Sequence, residues 1–161
     1  GAKPDNSVFR LKLEFSGADA RFPLPGQFYM LRSVKSKQLL GRPISVFHAE
    51  KTEHGVETHF LILKKGKGTA ELSALEQDDT VQALGPLGNI FQKPKDERTV
   101  CIIGGGIGVA PVHCVVDYML ANRSDYGKIQ VIYGARSKQD LVKLEQIQKQ
   151  TLERSDGYRK R

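Results

Sequence analysis

Gly104-Gly105-Gly106-Ile107-Gly108 sets four glycines in five positions between an apolar run and a run of helical periodicity. Backbone without Cβ atoms can approach a ligand closely, and the free N–H groups of a helix start point at an anion. The spacing is neither that of an ATPase P-loop nor a strict G-x-G-x-x-G, so a pyrophosphate loop and a structural glycine turn both remain open. Gly66-Lys67-Gly68-Thr69 repeats the logic on a smaller scale: a Gly-rich turn leading into a short helix, with Thr69 as its cap. Arg42-Pro43-Ile44-Ser45 offers a permanent positive charge whose approach is fixed by a proline, with a hydroxyl three residues on. That combination suits a phosphate, although an ordinary strand entry would read the same way.

The elements that must hold these runs are legible from periodicity. Phe9, Leu11, Leu13 and Phe15 alternate with Arg10, Lys12 and Glu14, the pattern of a half-buried strand. Pro23, Pro25 and Gly26 then break the chain. Strands are expected over 27–32, 44–48, 58–64 and 80–84, the last ending at Gly85-Pro86-Leu87-Gly88-Asn89. A short helix interrupts them, with Leu72 and Leu75 on one face. Short strands between turn residues predict an antiparallel β-barrel or sandwich. Residues 92–98 are polar and read as a linker. Val100-Cys101-Ile102-Ile103 is a continuous apolar run, as in a parallel strand buried on both faces. Val112, Val115, Val116, Met119 and Leu120 recur at helical spacing, with Pro111 in the first turn. A strand over 129–133 follows, and Ser137 can cap another helix carrying Leu141, Leu144 and Ile147. Strand, glycine loop, helix, strand, helix is the opening of a doubly wound α/β nucleotide-binding domain. The expected division is 1–93 for the barrel and 94–161 for an α/β domain that is incomplete, because two parallel strands leave a sheet largely uncovered.

Composition narrows the classes. The net charge of +7 suits anionic ligands, a partner surface or nucleic acid. The basic clusters, Lys64, Lys65 and Lys67 and then Arg154, Arg159, Lys160 and Arg161, are not interleaved with aromatics in an RNA-binding motif. Two cysteines, Cys101 and Cys114, read as buried free thiols and cannot alone build a zinc or iron–sulfur site. The four histidines lack H-x-x-x-H spacing, so no metal site is expected. No apolar run reaches the length of a membrane span, no leader pattern opens the chain, and a cytoplasmic location is expected.

Taken in order, Pro25-Gly26-Gln27-Phe28, Arg42-Pro43-Ile44-Ser45, Gly66-Lys67-Gly68-Thr69, Gly85 to Asn89, Gly104 to Pro111 and Gly134 to Lys138 resemble the ferredoxin–NADP reductase superfamily. Within it the likeness is greatest to the electron-transfer subunits of bacterial dihydroorotate dehydrogenases. The resemblance implies FAD on the barrel, held by Arg42, Pro43, Ile44 and Ser45 and lined by Leu61, Ile62 and Leu63. Gly68 and Thr69 would receive its diphosphate. Gly104, Gly105, Gly106, Ile107 and Gly108 would receive NAD, with NADP open because Arg136 and Lys138 follow the second strand. The family commonly has Tyr-Arg where this chain has Ile62 and Leu63, and Lys64 or Lys65 is left to supply the charge. It also implies a [2Fe–2S] cluster on four cysteines that this sequence lacks, and a catalytic dehydrogenase subunit as partner. No side chain need act as nucleophile or acid, since the cofactors carry the redox chemistry. Two rivals stand beside this reading. One is a related reductase subunit of a sulfide dehydrogenase, hydrogenase or NAD(P)H-ferredoxin oxidoreductase. The other is a basic, non-enzymatic nucleic-acid-binding module, which would be colourless and salt-sensitive.

Overall fold

The computed structural model describes residues 7–17, 20–92 and 99–135. The expected linker beyond Gln92, the helix begun by Ser137, Arg136, Lys138 and the basic tail lie outside the described residues. The first half is an antiparallel sheet of five strands in the order β1-β4-β3-β2-β5, curled into a half-barrel. The strands are β1 (Val8–Ser16), β2 (Phe28–Ser33), β3 (Arg42–Lys51), β4 (Gly55–Leu63) and β5 (Val81–Leu87).

Alternation decides which side chains fill the barrel. Tyr29, Leu31, Val46, Phe60 and Ile62 are buried together, with Phe15 stacked on Tyr29 at 4.9 Å and Phe60 edge-on to it at 5.6 Å. Burying aromatic and branched side chains of this size stabilises by about 1.5–3 kcal/mol each. Helix α1 (Lys67–Ser73) contributes Leu72, 1% exposed, to the same core. Its N-cap is Gly66, not Thr69. Thr69 stands one turn in and its Oγ1 reaches back to accept from the N–H groups of Lys65 (2.9 Å) and Gly66 (3.1 Å), so it shapes the turn from inside the helix.

β5 also differs from expectation, because it runs on through Gly85 and Pro86 to Leu87. β5 is an edge strand, where a proline sacrifices little of the ladder. Gly85 is required by contact: a Cβ there would lie 2.5 Å from Cδ1 of Tyr29.

The second half is a βαβ unit. β6 (Val100–Gly105) lies parallel to β7 (Ile129–Gly134), and α2 (Val109–Ala121) connects them. Val115 and Met119 of α2 pack with Val100, Ile102 and Ile129. Its other side faces the barrel, where Val109 and Ala110 join Phe47 and Leu61. β6 is not covered on both faces among the described residues. Ile103 is 72% exposed, and Cys101 is exposed too, so only Cys114 is a buried thiol. The run is apolar because this sheet has two apolar faces, of which α2 covers one.

Candidate functional site

The ladder between β3 and β4 stops at Val46 and Phe60. Upstream of Val46, β3 pairs with β2 through Arg42–Leu31, Pro43–Met30, Ile44–Tyr29 and Ser45–Phe28. Beyond Phe60, β4 pairs with β1 alone through Leu61–Arg10, Ile62–Phe9 and Leu63–Val8. The two strands therefore splay into a fork with Arg42–Ser45 on one prong and Leu61–Leu63 on the other. Val46 donates its N–H to Gln27 on the β2 side, at 3.1 Å. Alternation then turns the nitrogens of Pro43 and Ser45 toward the fork. Lys64 donates to Ser7 on the β1 side, at 2.8 Å, which turns the main chains of Leu61 and Leu63 toward the fork as well. A proline at position 43 is tolerated there because the prong has no ladder to lose.

Arg42 closes the mouth of the fork. A Cβ on Gly68 would lie 2.5 Å from its Nε, 3.2 Å from its Cγ and 3.4 Å from its Cδ, so the side chain lies along the start of α1. Arg42 and Gly68 are thus brought together from two separate motifs. Thr69 is beside them, but its hydroxyl donates to Gly66 O at 3.0 Å while accepting from Lys65 and Gly66.

The other expected residues fall into three places. Ile44 packs against the barrel core and Ile62 lies within it, at 1% exposure. Ser45 is on the opposite face of β3 from Arg42, across from Phe28. Leu61, 3% exposed, belongs to the joint with α2. Leu61 consequently offers a ligand its main chain and not its side chain, while the main chain of Ile62 turns to β1.

The glycine loop spans the end of β6 and a single 3₁₀ turn over Gly106–Gly108 that runs into α2. Its glycines are used differently. Gly104 lets the helix close on the strand, since a Cβ would meet Val112 Cγ2 at 3.2 Å. Gly106 has φ +51, and a Cβ at Gly106 or Gly108 would meet nothing within 4 Å, so the loop is open above. Tyr133 of β7 donates its hydroxyl to Gly106 O at 3.0 Å and holds the turn. Ile107 packs into the joint with the barrel.

Sequence reasoning missed a polar seam at this joint. His48 and His59 of β3 and β4 lie 5.3 Å apart between ring centres, and His113 of α2 is 6.4 Å from His48. The Arg10 guanidinium donates to His59 Nδ1, and His59 Nε2 meets Glu57 Oε1 at 2.5 Å, so Nε2 carries the ring proton. Burial pushes the His59 pKa down. Hydrogen bonds from Lys12 and His59 bring Glu57 down to about 2. Glu50, Glu57 and His59 hold one donor atom each within 4.8 Å of one another, but Glu57 and His59 are already engaged by Lys12, Arg10 and each other. The set arises from cross-strand register, Glu50 opposite Glu57, which no H-x-x-x-H scan can detect.

Barrel, fork, glycine loop and shared helix define a flavin- and nicotinamide-dependent reductase module. The oxidoreductase FAD-binding domain family matches residues 2–91 and the oxidoreductase NAD-binding domain family residues 102–159. The chain belongs to this ferredoxin-reductase family of oxidoreductases, with an FAD-binding domain followed by an NAD-binding domain. It is 41% identical over 92 residues to the dihydroorotate dehydrogenase B (NAD(+)) electron transfer subunit of Listeria welshimeri, covering 55% of this chain and 35% of that protein. The subunit of the same name from Desulforamulus reducens is 36% identical over 132 residues, covering 81% of this chain and 48% of that one. The chain therefore spans less than half the length of these relatives. A solved NADH-dependent reduced ferredoxin-NADP oxidoreductase superimposes with a TM-score of 0.72 at 26% identity, over 93% of this chain and 51% of that one. The cytochrome b5 reductase domain of Ulva prolifera nitrate reductase shares the fold, with a TM-score of 0.67 at 21% identity over 94% of this chain and 70% of that domain. Among the described residues no helix is long and apolar enough to cross a membrane.

Proposed function

We propose that this chain is the cofactor-binding part of a cytoplasmic electron-transfer subunit that passes electrons from a catalytic dehydrogenase partner, of the dihydroorotate-oxidising type, through FAD to NAD. The observation that carries the reading is the fork, with Arg42 laid across Gly68 at its mouth. Gly68 leaves room for the Arg42 side chain to lie along the start of α1, and a guanidinium placed there fits a diphosphate. The main chain of Ser45, Leu61 and Leu63 fits the polar edge of a planar ring by hydrogen bonding, with Pro43 and Ile44 fixing the prong. Thr69 holds the turn that presents Gly68. Gly104, Gly105, Gly106, Ile107 and Gly108 receive the nicotinamide dinucleotide, the open glycines contributing close approach. FAD, when bound, supplies two-electron exchange with nicotinamide and one-electron exchange with a partner.

The two cysteines do not fit a four-thiolate cluster: Cys101 is exposed on β6, and Cys114 is buried in α2 toward the barrel. The structural likeness to the NADH-dependent reduced ferredoxin-NADP oxidoreductase favours, as a second reading, a ferredoxin-linked reductase subunit. An absorbance spectrum of protein incubated with FAD and then freed of unbound cofactor tests the first half of the proposal, since a chain that comes away colourless is not a flavoprotein. Combining the full natural chain with a dihydroorotate-oxidising subunit and following NAD reduction separates the two readings; ferredoxin-dependent but not dihydroorotate-dependent turnover selects the second.

A further inference from the structure

We infer that His113, acting with Asp117 and His48, is a positioning group that fixes the nicotinamide loop against the flavin fork; this rests on the cofactor reading above. α2 begins directly after Gly108, and β3 carries Arg42–Ser45 just upstream of Phe47 and His48. The His113 ring, 3% exposed, stacks on Phe47 at 4.2 Å and 22°. Its Nδ1 lies 3.2 Å from Phe47 O and 3.3 Å from Asp117 Oδ2. Both are acceptors, so Nδ1 carries the proton and donates. The same Asp117 oxygen accepts from His48 Nδ1 at 3.0 Å. One carboxylate thus ties a residue of its own helix to a residue of β3. Behind His48 stand His59, Glu57, Arg10 and Lys12, already paired among themselves.

An apolar side chain at 113 would bury as readily, without the desolvation cost of an imidazole. What the network adds is direction. The contacts among Phe47, Leu61, Val109 and Ala110 tolerate sliding, because the hydrophobic effect is non-directional. Hydrogen bonds from two strand positions and one carboxylate fix both the rotation and the rise of α2. The rise matters because the glycine loop is the N-terminal continuation of that helix, and about 1.5 Å separates successive residues along it. Hydride transfer needs reacting atoms within roughly 3.5 Å, and a shift of about 1 Å costs on the order of 100-fold in rate. The role assigned to His113 and Asp117 is exerted through the helix, since their contacts are to Phe47, His48 and each other.

The test uses the full natural chain loaded with FAD. Asp117→Asn keeps the shape but changes what His113 and His48 can donate to. His113→Phe keeps the stack on Phe47 and removes the donor. Three readouts are taken: FAD affinity by fluorescence titration, hydrogen exchange of the β3 and α2 amides, and anaerobic flavin reduction at saturating NADH. The expected result is unchanged FAD affinity and melting temperature, faster exchange around Phe47 and the first turns of α2, and reduction slowed roughly 10- to 100-fold. NADH affinity should move less than about threefold, because the loop itself is intact. Wild-type exchange and reduction rates in both variants overturn the inference. So does a slower rate that merely tracks a lower melting temperature, which would assign the seam to stability. A wild-type chain that takes up no FAD refutes the cofactor reading, and the inference falls with it.

Discussion

Replacing Arg42 by alanine isolates the grip of the fork. The side chain lies within 2.5 Å of where a Gly68 Cβ would stand, which places it at the first turn of α1. A hydrogen bond to a charged partner contributes about 1.5–3 kcal/mol. At about 1.4 kcal/mol per decade, its loss should raise the FAD Kd by about 10- to 150-fold. Gly68→Ala makes the same point without touching the arginine. The new methyl would lie 2.5 Å from Nε, 3.2 Å from Cγ and 3.4 Å from Cδ of Arg42, so the arginine stem must move off the start of α1. That variant should therefore weaken FAD with the arginine still present. Arg42→Lys keeps the charge but not the fork geometry, and should fall between. Quenching of FAD fluorescence on titration reads all three. Wild-type Kd values in both Arg42→Ala and Gly68→Ala would refute the assignment, whatever became of the fold.

Gly85→Ala drives a methyl into the ring of Tyr29, which is 2% exposed and cannot retreat; a loss of about 1–3 kcal/mol is expected in denaturant titration, and an unchanged midpoint would contradict the packing. Acid sensitivity should come in two stages. The lowered His59 pKa gives stability that is full above its ordinary 6.5 and declines as pH falls below it, because the unfolded ring takes the proton first. Glu57, brought from 4.5 to about 2, adds stability present above 4.5 and lost as pH falls through that interval. Glu57→Gln should abolish the lower stage in a melting-temperature-against-pH series. Burial pushes the Cys114 thiol up to about 12, so alkylation at neutral pH should spare it until the chain unfolds; prompt labelling of Cys114 would mean that the joint opens. The 161-residue chain given FAD should show little bleaching of the flavin by NADH, because its described parallel sheet has only β6 and β7 to hold a nicotinamide. Rapid bleaching would show that these strands suffice.

Much of the fold was legible, and the failures have physical causes. β1 alternates cleanly because one face meets the barrel core and the other meets solvent. β5 was cut short because Gly-Pro reads as a turn, whereas here an edge strand and the Tyr29 ring make both residues acceptable within the strand. The apolar run of β6 suggested burial on two faces, but a run reports the residues and not what covers them; among the described residues Cys101 and Ile103 remain exposed. α2 shows why the seam escaped notice. Periodicity exposed the face that meets β6 and β7, but His113, Cys114 and Asp117 belong to the barrel-facing side, where polar and sulfur residues hide an interface from any apolar count. The residues of the candidate site were visible as separate motifs. Their meeting was not, since the fork depends on where the β3–β4 ladder ends.

The net charge of +7 takes on a sharper meaning once the fork is placed. Sequence alone left it divided among nucleic acid, a partner and anionic ligands. Lys64, Lys65 and Lys67 follow the second prong directly and lead into α1, against whose start Arg42 lies. Four cations thus stand in sequence or in contact with the same turn, and no acidic residue occupies the first turn of α1. Over a Debye length of about 8 Å at physiological salt, such a group acts on an incoming diphosphate as one field. Lys65 and Lys67 are exposed and individually weak, so they should speed and steer encounter more than they strengthen the final complex. Arg42, held against the backbone, is where affinity should reside. Raising ionic strength should therefore slow FAD association well before it accelerates dissociation, whereas Arg42→Ala should do the reverse. Stopped-flow measurement of the two rate constants separates these cases, and a salt effect confined to dissociation would remove the lysines from the argument.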